Sequence, residues 1–338
     1  MKGNQTVVIV RPKTALDEIT ARFGVARQAE FYMKQNKANF FGKLSGSITS
    51  KREESRKKIG SGEFQDLKKE KDNITLTIEA IQASLDSVIK TKVIERDFLP
   101  SYMFSDSDIV IVVGQDGLVA NTAKYTAGLP LIGVNPDPER YDGVLLPFQL
   151  STCKNAVLQV LENRHRFREV SMALVEMNDG QTLYGFNDVF IGPRSHTSAR
   201  YSITFRDSSE NHSSSGIIIS TGAGSTGWLS SMFNMAKGIC QAFPGTGKNH
   251  LSLDFDCRLN WDAEELRFIV REPFISRTSE ASLIAGSILK GEKLILESNM
   301  SNNGVIFSDG IDSDFIQFNS GSIATISLAP QKAKLVII

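Results

Sequence analysis

The sequence predicts two domains: an α/β N-terminal domain over residues 1–147 and a β-rich domain over 148–338, its last segment free to return to the first domain. Three observations carry this. The run Ile109–Val113 is apolar without alternation, as in a strand buried on both faces of a parallel sheet. A helix-like stretch, Leu118–Thr126, and a second apolar run, Leu131–Val134, complete a βαβ unit, with Gly128 and Pro130 ending the helix. Beyond Asn135 the texture changes: Pro136, Pro138 and Pro147 mark a crossing, and from 167 on the chain reads as short strands between Gly, Asn, Asp and Ser turns.

In chain order, Thr6–Val10 is a first strand. Residues 15–36 follow as a helix with Leu16, Ile19, Phe23, Ala26 and Ala29 at helical spacing. The mixed-charge stretch 50–73, around Gly60 and Gly62, reads as a solvated helical hairpin or mobile loop. Residues 74–91 resume the helical period with Ile78, Ile81, Leu85 and Val88, and Val93–Ile94 is a short strand. Residues 152–164 predict one helix with Val157, Val160 and Leu161 inward. Strands are expected at 168–176, 182–192, 200–206, 216–221, 251–258, 266–271, 293–298, 304–307, 314–318 and 322–328. Asp207–Ser215 is expected as a polar hairpin tip.

Composition narrows the function classes. Lys+Arg and Asp+Glu are equal at 38 each, so no net basic charge points to nucleic acid or an anionic membrane. No apolar run approaches the roughly 20 residues of a membrane helix. Cys153, Cys240 and Cys257 are scattered, which speaks against a disulfide framework or zinc site and for a reducing cytoplasm. Met1–Gln5 runs directly into a strand, so no signal or transit peptide is expected.

Chemistry is expected first at Gly114-Gln115-Asp116-Gly117. This glycine-flanked acid follows the carboxyl end of a buried strand, where ligands bind in open α/β sheets. Glycines and a helix N-terminus suit a phosphate, whereas a carboxylate there suits a metal or the proton of a hydroxyl. A helix cap is the alternative role for Asp116. Asn187-Asp188 is a polar pair inside an apolar segment, at a site or in an Asx turn. In the stretch from Ser220 to Ser231, a strand enters a hydroxyl-rich turn and then a helix, and Trp228 offers a face to a base. Gly222–Gly227 fits GxGxxG literally but lacks the following acid and parallel strand of a Rossmann unit. Gly245–Lys248 lacks the upstream glycine of a Walker loop, and the four histidines never pair at ligand spacing.

Together, in this order, these motifs resemble the NAD kinase family. Its GGDGT pattern is matched by Gly114-Gln115-Asp116-Gly117-Leu118, its Asn-Glu pair by Asn187-Asp188, its TPTGSTAY by Thr221–Trp228, and its late Asp-Gly turn by Asp309-Gly310. Asn135–Arg140, the NDVFIG stretch, Ser214–Gly216 and Arg271-Glu272-Pro273 look like the mitochondrial-type branch. The resemblance implies the two-domain NAD kinase/diacylglycerol kinase-like fold and a reaction in which the adenosine ribose 2′-hydroxyl of NAD attacks the terminal phosphate of ATP, with Mg²⁺, giving NADP. It implies Asp116 as the base or orienting group, with Gly114 and Gln115 in the donor loop. Gly117 would keep the backbone clear of substrate. Asn187, Asp188, Thr226, Gly227, Trp228 and Ser231 would bind NAD. No metal ligand is assigned, Asp116 being the one candidate. A homodimer or homotetramer is also implied.

The chain departs from the pattern at Gln115, Leu118, Asp188 and Trp228. A non-glycine residue at 115 costs roughly 1 kcal/mol if the loop needs positive φ there. Two other classes compete: a kinase for another hydroxyl, of a lipid or sugar, and a non-catalytic NAD(P)-binding sensor, which the GQDGL loop motivates.

Overall fold

The computed structural model describes residues 5–25, 27, 28, 30, 31, 51–243 and 257–337, with backbone alone at 51–63, 312 and 313. The chain divides into two compact units. One is Met1–Val119 with Ile132–His165 and Ile337–Ile338; the other is Ala120–Leu131 with Arg166–Val336.

Strands β1 (Thr6–Arg11), β2 (Lys90–Glu95) and β3 (Ile109–Val113) of the first unit and β4 (Pro130–Val134), which enters it at Ile132, lie in the order β2-β1-β3-β4, and β1 runs parallel to both its neighbours. Every residue of β3 is buried, as its unbroken apolar run requires. Helix α1 (Ala15–Phe23) starts at Thr14, whose hydroxyl and backbone exchange hydrogen bonds with Asp17, and ends at Gly24 with φ 74°. The single helix expected over 15–36 is therefore interrupted at Gly24; residues 27, 28, 30 and 31 are helical again, and 26, 29 and 32–36 lie outside the described residues.

Residues 51–85 correct two expectations. The charged stretch forms neither a hairpin nor a loop: α2 runs unbroken from Lys51 to Leu85. Lys, Arg and Glu are strong helix formers, and Gly60 and Gly62 weaken the helix without ending it. The helix is held where Ile74, Ile78, Ile81 and Leu85 are buried at helical spacing. It stops at Leu85, so Val88 falls in an exposed turn. Helix α3 (Asp116–Ala123) follows β3, and α4 (Leu150–Leu161) buries Cys153, Ala156, Val157 and Val160.

The second unit is a sandwich of two six-stranded sheets. One has the order β10-β9-β14-β17-β6-β7 and the other β13-β12-β11-β8-β15-β16. Their strands are β6 (Ala173–Met177), β7 (Thr182–Gly185), β8 (Asp188–Pro193), β9 (Ala199–Phe205), β10 (Ser208–Ser214), β11 (Ile217–Ser220), β12 (Glu265–Val270), β13 (Ala285–Leu289), β14 (Leu294–Ser298), β15 (Gly304–Ser308), β16 (Ile311–Gln317) and β17 (Ile323–Leu328). Alternate residues of both sheets, among them Val175, Ile203, Leu296 and Ile326 from one and Ile191, Ile219, Phe268 and Ile306 from the other, form a single core. Strand β18 (Ala333–Ile337) runs parallel to the start of β4, Lys334 and Leu335 facing Pro130 and Leu131, with β5 (Arg166–Val170) beside it.

Several predicted strands differ in the structure. The single strands expected at 168–176 and 182–192 are each broken in two, because the chain changes sheet at Ser171-Met172 and again at Phe186-Asn187. The polar tip expected at 207–215 is strand β10, paired along its length with β9. Its Ser and Asn residues suggest a loop, but His212 and Ser214 point inward, Ser214 Oγ lying 3.1 Å from the Tyr201 hydroxyl. Strands β13 and β18 were not expected. The strand expected at 251–258 lies mostly outside the described residues, and Cys257 and Arg258 are not in a strand.

Candidate active site

In the first unit, the loop after β3 sits at the point where the strand order reverses, β1 having a parallel neighbour on either side. Asp116 opens α3, and its carboxylate also reaches a distant loop. Its carboxylate accepts from the amides of Leu145 (2.8 Å) and Val144 (3.2 Å), while the first helical amides, Leu118 and Val119, donate to the Gln115 carbonyl. Asp116 is half-buried and Gly117 exposed. A Cβ on Gly117 would meet no protein atom within 4 Å, so internal packing does not demand this glycine.

Gln115 is absent from the residues with positive φ, so the strain considered for a side chain there is not incurred. Its amide nitrogen lies 3.0 Å from the Tyr141 hydroxyl and 3.4 Å from Glu70 of α2. Burial raises the Tyr141 phenol above its ordinary range, and Glu70 adds to the effect. Leu118, where the family pattern has a hydroxyl, is buried, its methyl near Gly114.

In the second unit, the crossing from β7 to β8 leaves the amides of Phe186, Asn187 and Asp188 off both ladders. Asp309 collects all three, at 3.0, 2.6 and 3.4 Å, and its own amide donates to the Asp188 carbonyl at 3.0 Å. The backbone of the pair is thus satisfied by a residue over 120 positions away, which leaves both side chains outside this arrangement. Asp309 and Gly310 are the two-residue connection of the β15–β16 hairpin, with φ 56° and 69°, the left-handed pair that Asp-Gly adopts readily. Burial pushes Asp309 up, opposed by Lys124 and the three amides. Burial and then the Asp309 charge push Asp188 up to about 7.

Lys124 has a side chain 1% exposed and donates to Ser308 Oγ at 2.8 Å and Asp314 Oδ2 at 3.2 Å; the Tyr125 hydroxyl reaches the same Asp314 oxygen. Nothing in the sequence reading drew attention to this cluster. The available signal was a lysine inside the small, apolar stretch 119–131.

The Thr221–Gly227 turn is fastened to the same crossing. Thr221 Oγ1 donates to the carbonyl of Phe186 (2.6 Å) and accepts from Gly224 N (3.2 Å). A Cβ on Gly224 would lie 2.0 Å from the Asn187 carbonyl oxygen, and one on Gly222 would lie 1.9 Å from that of Asn260. These glycines admit neighbouring backbone. Ser225 is fully buried and bonds to Gly222 O and Leu259 N. Thr226, Gly227 and Ser231 are exposed and Trp228, the first residue of helix α5 (Trp228–Ala242), is half-buried. The structure thus gathers Asn187, Asp188, Thr226, Gly227, Trp228 and Ser231 in the second unit, and Gly114, Gln115, Asp116 and Gly117 in the first.

No family model matches the chain. Over 229 residues, 61% of this chain and 63% of the relative, it is 23% identical to a probable NADH kinase of Oryza sativa subsp. japonica. Over 167 residues, 47% of this chain and 57% of the relative, it is 27% identical to an NAD kinase of Clostridium kluyveri. The chain therefore spans about six-tenths of the length of these curated relatives. Among solved structures it resembles yeast NADH kinase complexed with NADH (TM-score 0.53, 13% identity, 79% of this chain and 80% of that one). The chain is thus similar in sequence to NAD and NADH kinases and shares the fold of one. An NAD kinase from Archaeoglobus fulgidus in complex with ATP shares the fold (TM-score 0.52, 13% identity, 77% of this chain and 89% of that one). The α/β unit and the β-sandwich unit are those of the two-domain NAD kinase fold.

Proposed function

We propose that the chain is an ATP-dependent NAD kinase, a transferase that moves the terminal phosphoryl group of ATP to the adenosine ribose 2′-hydroxyl of NAD and releases NADP. The observation that carries this reading is Asp116. It stands at the carboxyl end of a fully buried parallel strand, its carboxylate fixed by two amides and its neighbour Gly117 open to a substrate. Likeness to NAD and NADH kinases supports the same chemistry.

In this reading Asp116 accepts the hydroxyl proton or orients the hydroxyl as the phosphoryl group passes, with Gly114 and Gln115 beside the donor. Asn187 and Asp188 hold ribose hydroxyls or amide groups of NAD, and Thr226, Gly227, Trp228 and Ser231 line its pocket. Mg²⁺ would enter with ATP, taking most of its ligands from phosphate and water. Asp116 is the carboxylate available to it, since each oxygen accepts an amide and keeps a further lone pair. Among the described residues no group of three His, Cys, Asp or Glu side chains forms a cage for it. A cytoplasmic homodimer or homotetramer of the mitochondrial-type branch completes the proposal, supported by the branch-like Asn135–Arg140 stretch and by three free cysteines.

The test is NADP formation by the purified protein with NAD, ATP and Mg²⁺, read by a coupled dehydrogenase. Asp116→Asn is expected to lower turnover by about 10²–10⁴-fold. Trp228→Ala is expected to weaken NAD binding about tenfold, and unchanged affinity would refute the pocket. NAD bound with no turnover from any donor would replace the kinase reading by the sensor, and turnover on a lipid or sugar alone would move it to another acceptor.

A further inference from the structure

The outer face of the second sheet carries a built aromatic platform that joins Trp228 to two phenylalanines and an arginine. Phe190 of β8 lies across Gly192 and Gly216: a Cβ on either would come within 2.8 Å of its ring. Trp228 stacks on Phe190, centroids 5.7 Å apart and planes at 15°, and Phe307 packs at 5.0 Å on the same ring. The Arg271 guanidinium lies 5.5 Å from the Trp228 centroid and 5.8 Å from that of Phe190, so it bridges the two.

The backbone of Arg271 is fixed on both sides, its amide donating to Gly216 O (2.8 Å) and its carbonyl accepting from Ser215 N (2.9 Å). The next residue, Glu272, is held at φ 48°, a strained conformation for a side-chain-bearing residue, and its carboxylate is taken by the Ser215 hydroxyl. The adjacent acid is therefore engaged elsewhere. Among the described residues the guanidinium has no carboxylate and no hydrogen-bond acceptor; its contacts are the two rings. A guanidinium resting on aromatic rings keeps its N–H edge for a planar, bidentate anion, and its weak hydration makes that exchange cheap.

We propose that Arg271 is a dinucleotide-recognition residue whose guanidinium, held on Phe190 and Trp228, binds the pyrophosphate of NAD. This rests on the NAD kinase reading and on the place of Trp228 in it. NAD carries its pyrophosphate before any transfer, so the contact acts on substrate binding and not on the donor.

The experiment measures the Kd of NAD by calorimetry, at low and high salt, for the full chain and for Arg271→Met and Arg271→Lys, with thermal melting of each. Methionine keeps an apolar stem on the rings and removes the charge. The expected result is about a tenfold weaker Kd for Arg271→Met at low salt and loss of most of the salt dependence seen in the parent. Arg271→Lys should recover the salt dependence with affinity between the two, because a point charge replaces the bidentate fork. Equal affinity in all three proteins overturns the proposal. Weaker binding in Arg271→Met with the parent's salt dependence intact also overturns it, since that is the mark of a damaged platform. A parent that binds no NAD overturns the NAD kinase reading itself, and this proposal with it.

Discussion

Asp116, in the first unit, and Asp309, in the second, each gather backbone amides from a distant loop, but in different surroundings. Asp116 holds Leu145 and Val144, and Val144 is 65% exposed. Asp309 holds the amides of Phe186, Asn187 and Asp188 beside fully buried Phe186 and Ser308, with Lys124 close by. Water can replace the first carboxylate and cannot readily replace the second. One hydrogen-bonding device thus stands open to solvent in the first unit and is enclosed in the second. The two aspartates should therefore fail in different ways.

The largest difference is expected from alanine. Asp309→Ala strands buried amides and puts a non-glycine residue without a local acceptor at positive φ, for a loss of about 3–5 kcal/mol. Asp116→Ala should cost about 1 kcal/mol, since its amides turn to water, and on the proposed function should lower turnover by at least about 10²-fold. Urea unfolding of both variants checks this, and equal losses would erase the contrast. Asp309→Asn should lose less than Asp309→Ala, because asparagine tolerates the left-handed region and keeps one acceptor.

Next in size is Lys124→Met. Removing one partner of a buried ion pair leaves Asp314, whose Oδ1 is already without a hydrogen-bond partner, as an uncompensated charge, for roughly 3 kcal/mol. Partial rescue by Lys124→Met combined with Asp314→Leu would identify the stranded carboxylate as the cause. A variant as stable as the parent would show that the lysine does not hold the Ser308-Asp309 turn.

How much of this was legible in the sequence follows the same division. Asp116 stood out because an unbroken apolar run and two glycines are local signals of a strand end in a parallel sheet, and the Thr221–Trp228 turn stood out by its glycines and hydroxyls. Asn187-Asp188 was visible as polar residues in an apolar segment, but its partner was not. Asp309 lies more than 120 residues on, and the pairing exists only because β7 and β8 belong to different sheets. For the same reason 182–192 reads as one strand: apolar residues lie on both sides of the Asn187-Asp188 pair while the sheet changes. Arg271 and Phe190 meet through strand register across β8, β11 and β12, which no local pattern encodes.

The smallest expected effect tests the enclosure of the second region by pH. Asp188 ordinarily titrates at 3.8, and burial with the Asp309 charge raises it to about 7. The native state therefore keeps a proton that the unfolded chain has lost between these values. The resulting stability is fully present below about 4 and is lost as pH rises through about 7. Between pH 6 and 8 the Asp188 share of that decline is roughly 1 kcal/mol. Asp188→Asn cannot titrate, so its urea midpoint should fall less than the parent's over the same window. Parallel declines in parent and Asp188→Asn would mean that Asp188 is ionised throughout, and that the crossing at Phe186-Asn187 is as open to water as the loop around Asp116.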